Sequence, residues 1–178
     1  ADLTIMEESA EFLERVAAGE KLPLLTSCCP AWSVLAKKYF PDLADKVSQE
    51  LTPMVATARI IKEEHPDAGV VFIGPWASKK LEASRRTIRS DVDFVITFEE
   101  LAGMFEAKGI VLEEIVAEDE MQDATAAGRG YGVAGGVASA IEECINKYYP
   151  GTEVKIEHAE GLAECKKILT LAKAGKKN

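Results

Sequence analysis

The feature that most narrows the fold is an alternation, in which short unbroken apolar runs recur between longer stretches with helical spacing. "AGVVFIG" (68–74) is apolar on both faces, as a fully buried strand must be, and it follows "PMVATARIIKEEH", whose apolar positions recur at helical intervals. "DFVITF" (93–98) repeats the pattern ahead of "EELAGMFEA". "LPLLTS" (22–27) and "EVKIEH" (153–158) are further strand candidates, the second leading into the helical pattern "GLAECKKILTLAKAG". Strands alternating with helices predict an α/β fold: a mainly parallel sheet flanked by helices.

The remaining helices are marked by local signals. Thr4 with Glu7 three residues on has the form of a capping box, and Phe12, Leu13 and Val16 continue at helical spacing up to Gly19. Pro30 suits the first turn of a helix carrying Trp32, Leu35, Tyr39 and Phe40. "ASKKLEASRR" and "GVASAIEECINKYY" also read as helices. No repeat or linker divides the 178 residues, so the expectation is a single domain over 1–178.

Composition excludes several function classes. A formal net charge of −9 leaves no basic stripe for nucleic acid. The apolar runs fall well short of the roughly 20 residues that a bilayer span requires, so no membrane partner is expected. The opening "ADLTIMEESA" has neither a basic nor an apolar leader segment and no initiator Met, which predicts a trimmed or partial chain. The closing "AKAGKKN" is expected to fray. Four cysteines (Cys28, Cys29, Cys144, Cys165) do not make a disulfide framework at this length, which points to a reducing, cytoplasmic setting. Cys144 and Cys165 lie in helical patterns and read as small buried apolar residues, while His65 and His158 read as structural.

Two stretches carry chemistry. "TSCCPAW" (26–32) and "GPWASKK" (74–80) each fall where an expected strand runs into a helix, the place where open parallel sheets gather ligands. At a helix start the dipole favours a thiolate at Cys28 and Cys29, the form that binds soft metals and moves protons. By pattern alone the pair is core filler, a vicinal redox couple or part of a metal site; simple zinc and cluster motifs need further Cys or His at short spacing, which the chain lacks. Glu8 and Glu11 share a helix face, as a proton-passing pair or as a solvated surface. Lys79, beside Lys80 near a helix start, implies a nearby anion or is an ordinary surface lysine. Gly130, Gly132 and Gly135 in "GRGYGVAGG" satisfy G-x-G-x-x-G, but the polar "AEDEMQDATAAGR" precedes them instead of a strand. They read as a tight loop before a helix starting near Val133.

"TSCCPAW" resembles the first signature of the H-cluster domain of [FeFe]-hydrogenases, and "VVFIGPWASKKLEASR" resembles the second. "LTIMEESAEFLERV" and "YGVAGGVASAI" are similar to further family blocks, so the likeness covers essentially the whole chain in family order. The resemblance implies reversible formation and oxidation of dihydrogen at a [4Fe-4S] cubane joined by a thiolate to a di-iron subsite. It implies Cys29 as a cubane ligand and Cys28 as the proton carrier nearest the di-iron subsite. Ser48, Glu8 and Glu11 would continue the proton route, while Lys79, with Pro75 and Ser78, would hold the cofactor. The partners implied are a ferredoxin-like electron carrier or domain and the hydrogenase maturation proteins.

The chain also departs from the family pattern. Trp76 stands where the second signature has a cysteine ligand, and an indole offers no lone pair to a metal. Met54 and Gly74 replace a glutamine and a methionine common in catalytic relatives. The last cubane ligands belong to a third signature expected beyond residue 178. The chain alone is therefore expected to assemble no H-cluster and to show self-association or an open cavity at the uncovered face, with the Trp76 ring buried against the Cys28–Cys29 turn. A non-catalytic derivative of the fold, redox-sensing or partner-docking, is the alternative.

Overall fold

The apolar stretches of "AGVVFIG" and "DFVITF" become strands, because each can satisfy the other's backbone groups. In the computed structural model β1 (Val71–Gly74) and β2 (Phe94–Thr97) pair in parallel, with Val71 opposite Phe94 and Gly74 opposite Thr97. Parallel strands need a crossover, and the segment containing α4 (Ser78–Ala83) supplies it. The structure describes residues 1–89, 91–116 and 123–176. Positions 117–122 of the acidic stretch and the last two residues of the tail lie outside the described residues.

The contacts resolve into two units: Ala1–Pro53 with Ala124–Asn178, and Met54–Asp123. The second contains the sheet. There α3 (Pro53–Glu64) is tied to the strands by ion pairs of Arg59 with Asp91 at 3.0 Å and Lys62 with Asp93 at 2.9 Å. Asp93 also accepts from the Val70 N–H at 2.7 Å, just ahead of β1. α5 (Phe98–Ala107) starts with a capping box formed by Thr97 and Glu100.

The first unit is helical. α1 (Asp2–Ala18), α2 (Pro30–Tyr39), α6 (Ala126–Gly130), α7 (Gly136–Tyr148) and α8 (Gly161–Lys173) surround two apolar clusters. One joins Leu25, Ala36, Leu43 and Val47 to Leu169 and Ala172 of α8. The other joins Ile5 of α1 to Tyr131 and to Ala140 of α7, with Cys28 and Cys144 packed against it.

Helix-rich α/β architecture with a small parallel sheet agrees with the sequence pattern; several local expectations do not survive. "LPLLTS" contributes only a single parallel bridge, Leu25 with Val47. "EVKIEH" is not a strand: Val154 and Ile156 are half-buried between exposed Glu153, Lys155 and Glu157, but this period-two pattern has no paired neighbour among the described residues. "ASKKLEASRR" is helical only over its first half, as α4, before the chain turns. Thr4 does not cap α1, which begins at Asp2; its side chain is buried and its hydroxyl has no hydrogen-bond partner among the described residues. The glycine loop behaves as a tight passage, although α7 starts at Gly136 and not near Val133. A Cβ on Gly136 would lie 2.0 Å from the Gly130 carbonyl oxygen.

Candidate functional site

The first unit brings several of the candidate residues into one buried line. The Leu25–Val47 bridge starts it: the Leu25 N–H donates to the Lys46 carbonyl at 2.9 Å and the Ser48 N–H to the Leu25 carbonyl at 2.8 Å. Ser48 is thereby held alongside the chain that leads to the cysteines. The Trp32 indole N–H closes that loop onto the Thr26 carbonyl at 3.1 Å. Cys29, in extended conformation, is the N-cap of α2, with Pro30 in the first turn as its chemistry favours. Cys29 is exposed, whereas Cys28 is half-buried against the Ile5, Tyr131 and Ala140 cluster.

From α1, Glu8 and Glu11 meet this segment. Glu8 is 1% exposed, so the solvated-surface reading does not hold for it. The Tyr131 hydroxyl donates to Glu8 Oε2 at 3.3 Å, and the Ser27 N–H and Ser48 hydroxyl are further partners of the same carboxyl. Ser48 Oγ donates to Glu11 Oε2 at 2.6 Å and accepts from the Glu50 N–H at 3.2 Å. Arg15, one turn beyond Glu11, pairs with the other Glu11 oxygen. Its guanidinium also donates to the Lys21 carbonyl at 3.1 Å and the Lys46 carbonyl at 3.0 Å, locking α1 onto the 46–48 segment.

Burial pushes the Glu8 carboxyl up to about 7, with the Glu11 charge adding in the same direction and the Tyr131, Ser27 and Ser48 hydrogen bonds opposing it. A group poised there exchanges its proton near neutral pH. The Tyr131 phenol is driven far above its usual range by burial first and then by Glu8 and Cys28, so it stays a neutral hydroxyl. Among the described residues, Cys28, Tyr131, Glu8, Ser48, Glu11 and Arg15 thus form a connected series. Sequence reading missed Arg15 and Tyr131. The i, i+4 spacing of Glu11 and Arg15 was an available signal for the first; no spacing pointed to the second.

The second unit holds Pro75, Trp76, Ser78 and Lys79. Pro75 is exposed and Ser78 opens α4 half-buried. Lys79 is not a surface residue: it is 6% exposed and donates to Glu82 Oε2 at 2.7 Å, so its nearby anion is that carboxylate. Trp76 is 43% exposed, which removes the expectation of a buried ring.

The donor set for a metal is thin. None of the four cysteines is in a disulfide, and among the described residues no group of three or more His, Cys, Asp or Glu side chains could hold a metal ion. A cubane takes four thiolates, and Cys29 alone does not supply them. The Cys165 thiol is half-buried, its pKa pushed up by burial and then by Cys29. Among the described residues no helix is long and apolar enough to cross a membrane.

Comparison with known proteins gives a consistent result. Residues 1–178 match the family model described as iron only hydrogenase large subunit, C-terminal domain. Iron hydrogenase 1 of Clostridium pasteurianum is 34% identical over 170 residues, which cover 87% of this chain and 30% of that protein. The periplasmic [Fe] hydrogenase large subunit of Nitratidesulfovibrio vulgaris is 28% identical, with 99% of this chain and 52% of that protein covered. The cytosolic Fe-S cluster assembly factor NAR1 of Kluyveromyces lactis is 34% identical over 57% of this chain and 22% of its own length. A solved structure of a variant apo [FeFe]-hydrogenase HydA1 from Chlamydomonas reinhardtii superposes with a TM-score of 0.68 at 32% identity, covering 90% of this chain and 45% of that one. The chain thus spans between about a third and a half of the two hydrogenase relatives.

Proposed function

The chain belongs to the family formed by the C-terminal domain of the iron only hydrogenase large subunit, and from that premise we propose that it is the proton-handling part of an H-cluster domain whose parent reversibly oxidises dihydrogen to protons and electrons. The observation that carries this reading is the series from buried Glu8 through Ser48 to Glu11, with half-buried Cys28 packed against the Tyr131 cluster beside it and Glu8 poised at about 7. A buried carboxyl that exchanges its proton at neutral pH, linked on both sides to hydroxyls, is what a route for single protons requires.

In this reading residues 1–178 serve one domain. Cys28 is the innermost proton carrier, Glu8, Ser48 and Glu11 are the route, and Cys29 is the one cubane thiolate that this chain contributes. Lys79, Pro75 and Ser78 would hold the cofactor, and the Lys79 ammonium, with three N–H donors, could keep its bond to Glu82 while donating to such a group. The donors present do not fit a complete cubane, so hydrogen turnover by this chain alone is not expected. The partners are a ferredoxin-like carrier or domain, the maturation proteins, and a second copy through exposed apolar surface; the setting is cytoplasmic and anaerobic.

Trp76 favours a second reading. It stands where the family signature has a ligand, and the relatives named as cytosolic Fe-S cluster assembly factors offer a precedent for a different use of the fold. In that reading the chain is a non-catalytic derivative, redox-sensing or partner-docking.

Anaerobic reconstitution with iron and sulfide separates the two. The expected result is a negligible cubane EPR signal on this chain. A version extended through the next cysteines and carrying Trp76→Cys should give a clear signal and, once matured, viologen-linked hydrogen turnover that Glu11→Gln abolishes. A stoichiometric cubane on the unmodified chain would overturn the ligand count. A matured, extended protein with no turnover would establish the second reading.

A further inference from the structure

We propose that the outward face of α1 is a docking seam for one helix of the parent polypeptide outside residues 1–178, a helix apolar along one stripe and carrying Lys or Arg beside it. This rests on the reading of the chain as part of a longer hydrogenase-like protein. The observation behind it is that α1 is amphipathic in the reverse sense. Its buried positions are Thr4, Ile5, Glu8, Ser9 and Arg15, all polar except Ile5. Its apolar residues Leu3, Met6, Ala10, Leu13 and Ala17 follow the alternating three- and four-residue spacing of a coiled-coil seam. At 3.6 residues per turn these five lie within about 80° of one another, on the face opposite Glu8. Leu3 is 47% and Met6 59% exposed, Ala10 and Ala17 are exposed, and Leu13 is half-buried. A surface helix ordinarily turns its apolar stripe inward and its charges outward. The inner face of α1 has its polar partners in Ser48, Tyr131 and the Lys46 carbonyl, whereas the apolar stripe is left largely to solvent, as a face made to be covered would be.

The charges beside the stripe choose the occupant. Glu7 and Glu14, one heptad apart, flank it on one side, and Asp2 stands on the other side at the helix start. Arg15 is the single basic residue of α1, and it is turned inward onto Glu11. The Glu50 carboxyl is pushed up by burial and then by the charges of Glu11, Glu7 and Glu14, so it adds to the same acidic rim. Two copies of α1 packed antiparallel would set Glu7 against Glu14 of the other copy, and packed parallel would set Asp2 against Glu7. Acid meets acid either way, which disfavours a second copy on this face. A helix with Lys or Arg beside its apolar stripe meets the same rim with the opposite sign. Iron hydrogenase 1 and the periplasmic large subunit are matched over only 30% and 52% of their lengths, so a parent of this kind has further chain to supply that helix. Because α1 carries Glu8 and Glu11 on its inner side, the docked helix would press both carboxyls toward the 46–48 segment.

Two designed helical peptides of about 18 residues probe the seam on this chain. Both carry Leu along one stripe; one has Lys and the other Glu beside it. Fluorescence anisotropy should show the Lys-flanked peptide binding roughly tenfold more tightly at low ionic strength, with the gap closing in about 1 M salt. Met6→Asp should abolish binding while the far-UV circular dichroism stays unchanged. Binding of neither peptide, equal binding of both, or binding that survives Met6→Asp overturns the seam. A chain that dimerises in sedimentation and becomes monomeric with Met6→Asp overturns the occupant in favour of a second copy. Hydroxyl-radical footprinting of the full-length parent then tests the source: oxidation of Met6 should fall roughly tenfold below that in this chain, and the Lys-flanked peptide should no longer bind. Met6 oxidised as before, with the peptide still bound, places the occupant on another polypeptide and overturns the proposal. A full-length protein carrying Trp76→Cys that takes up a cubane while Met6 stays open overturns the seam alone. One that protects Met6 and takes up no cubane supports the seam and overturns the hydrogenase reading.

Discussion

Among the described residues each unit buries one glutamate almost completely, and the two are kept in different ways. Glu82 in the second unit, 2% exposed, faces the Lys79 ammonium at 2.7 Å. Glu8 in the first unit, 1% exposed, is held by uncharged groups, the Tyr131 hydroxyl, the Ser27 N–H and Ser48, while the nearby guanidinium of Arg15 goes to Glu11 instead. A buried carboxylate with a cation against it keeps its charge and fixes geometry. One with hydrogen bonds but no cation is only weakly held to its charge, and burial moves its titration to about 7. The contrast separates a carboxylate that anchors α4 from one suited to gain and lose a proton.

Breaking the ion pair should have the largest effect. Lys79→Met leaves the Glu82 charge buried without that ammonium, and denaturant melts should show a loss of about 3–5 kcal/mol. Adding Glu82→Leu should restore most of it, since a packed apolar pair replaces a buried ion pair at little cost. If the single variant loses less than about 1 kcal/mol, other contacts hold Glu82 and the contrast with Glu8 weakens.

The Glu8 effect should be somewhat smaller and dependent on pH. Its folded pKa is raised from 4.5 to about 7, so the folded state favours the protonated form. That contribution is fully present below pH 4.5 and is lost as pH rises through about 7. Glu8→Gln mimics the protonated form, so its stability should track the parent below pH 4.5 and exceed it by up to roughly 3 kcal/mol at pH 8. Chemical melts at both pH values check this; equal stabilities at pH 8 would mean that Glu8 titrates as an exposed carboxyl does.

The sequence made much of this legible, though unevenly. The apolar runs of β1 and β2 are coded for burial on both faces, and both became paired strands although Val71 is 47% and Phe94 67% exposed. The helical stretches followed from periodicity, and Pro30 placed Cys29 at a helix N-cap. "EVKIEH" failed because alternation specifies a strand only where a neighbour completes the ladder, which is a tertiary fact. The roles of Glu8 and Glu11 came from the family resemblance; spacing alone left them open between a proton-passing pair and a solvated surface. The structure adds the Arg15 clamp that holds α1 against the 46–48 segment. Tyr131 was beyond reach, since it meets Glu8 only through a contact spanning 123 positions of chain.

The smallest expected effect concerns why Glu8 titrates where it does. Burial is the first cause, and the Glu11 charge pushes the same way with less weight. Glu11→Gln removes the charge, leaves an oxygen to accept from Ser48, and gives up the pairing with Arg15. If burial dominates, the Glu8 carboxyl band should shift its midpoint down by only a few tenths of a pH unit, about 0.5 kcal/mol. A fall of two units toward the ordinary carboxylate range would show that repulsion between the two acids sets the proton affinity. The difference between Glu8 and Glu82 would then lie in the sign of the neighbouring charge more than in the use of uncharged hydrogen-bond partners.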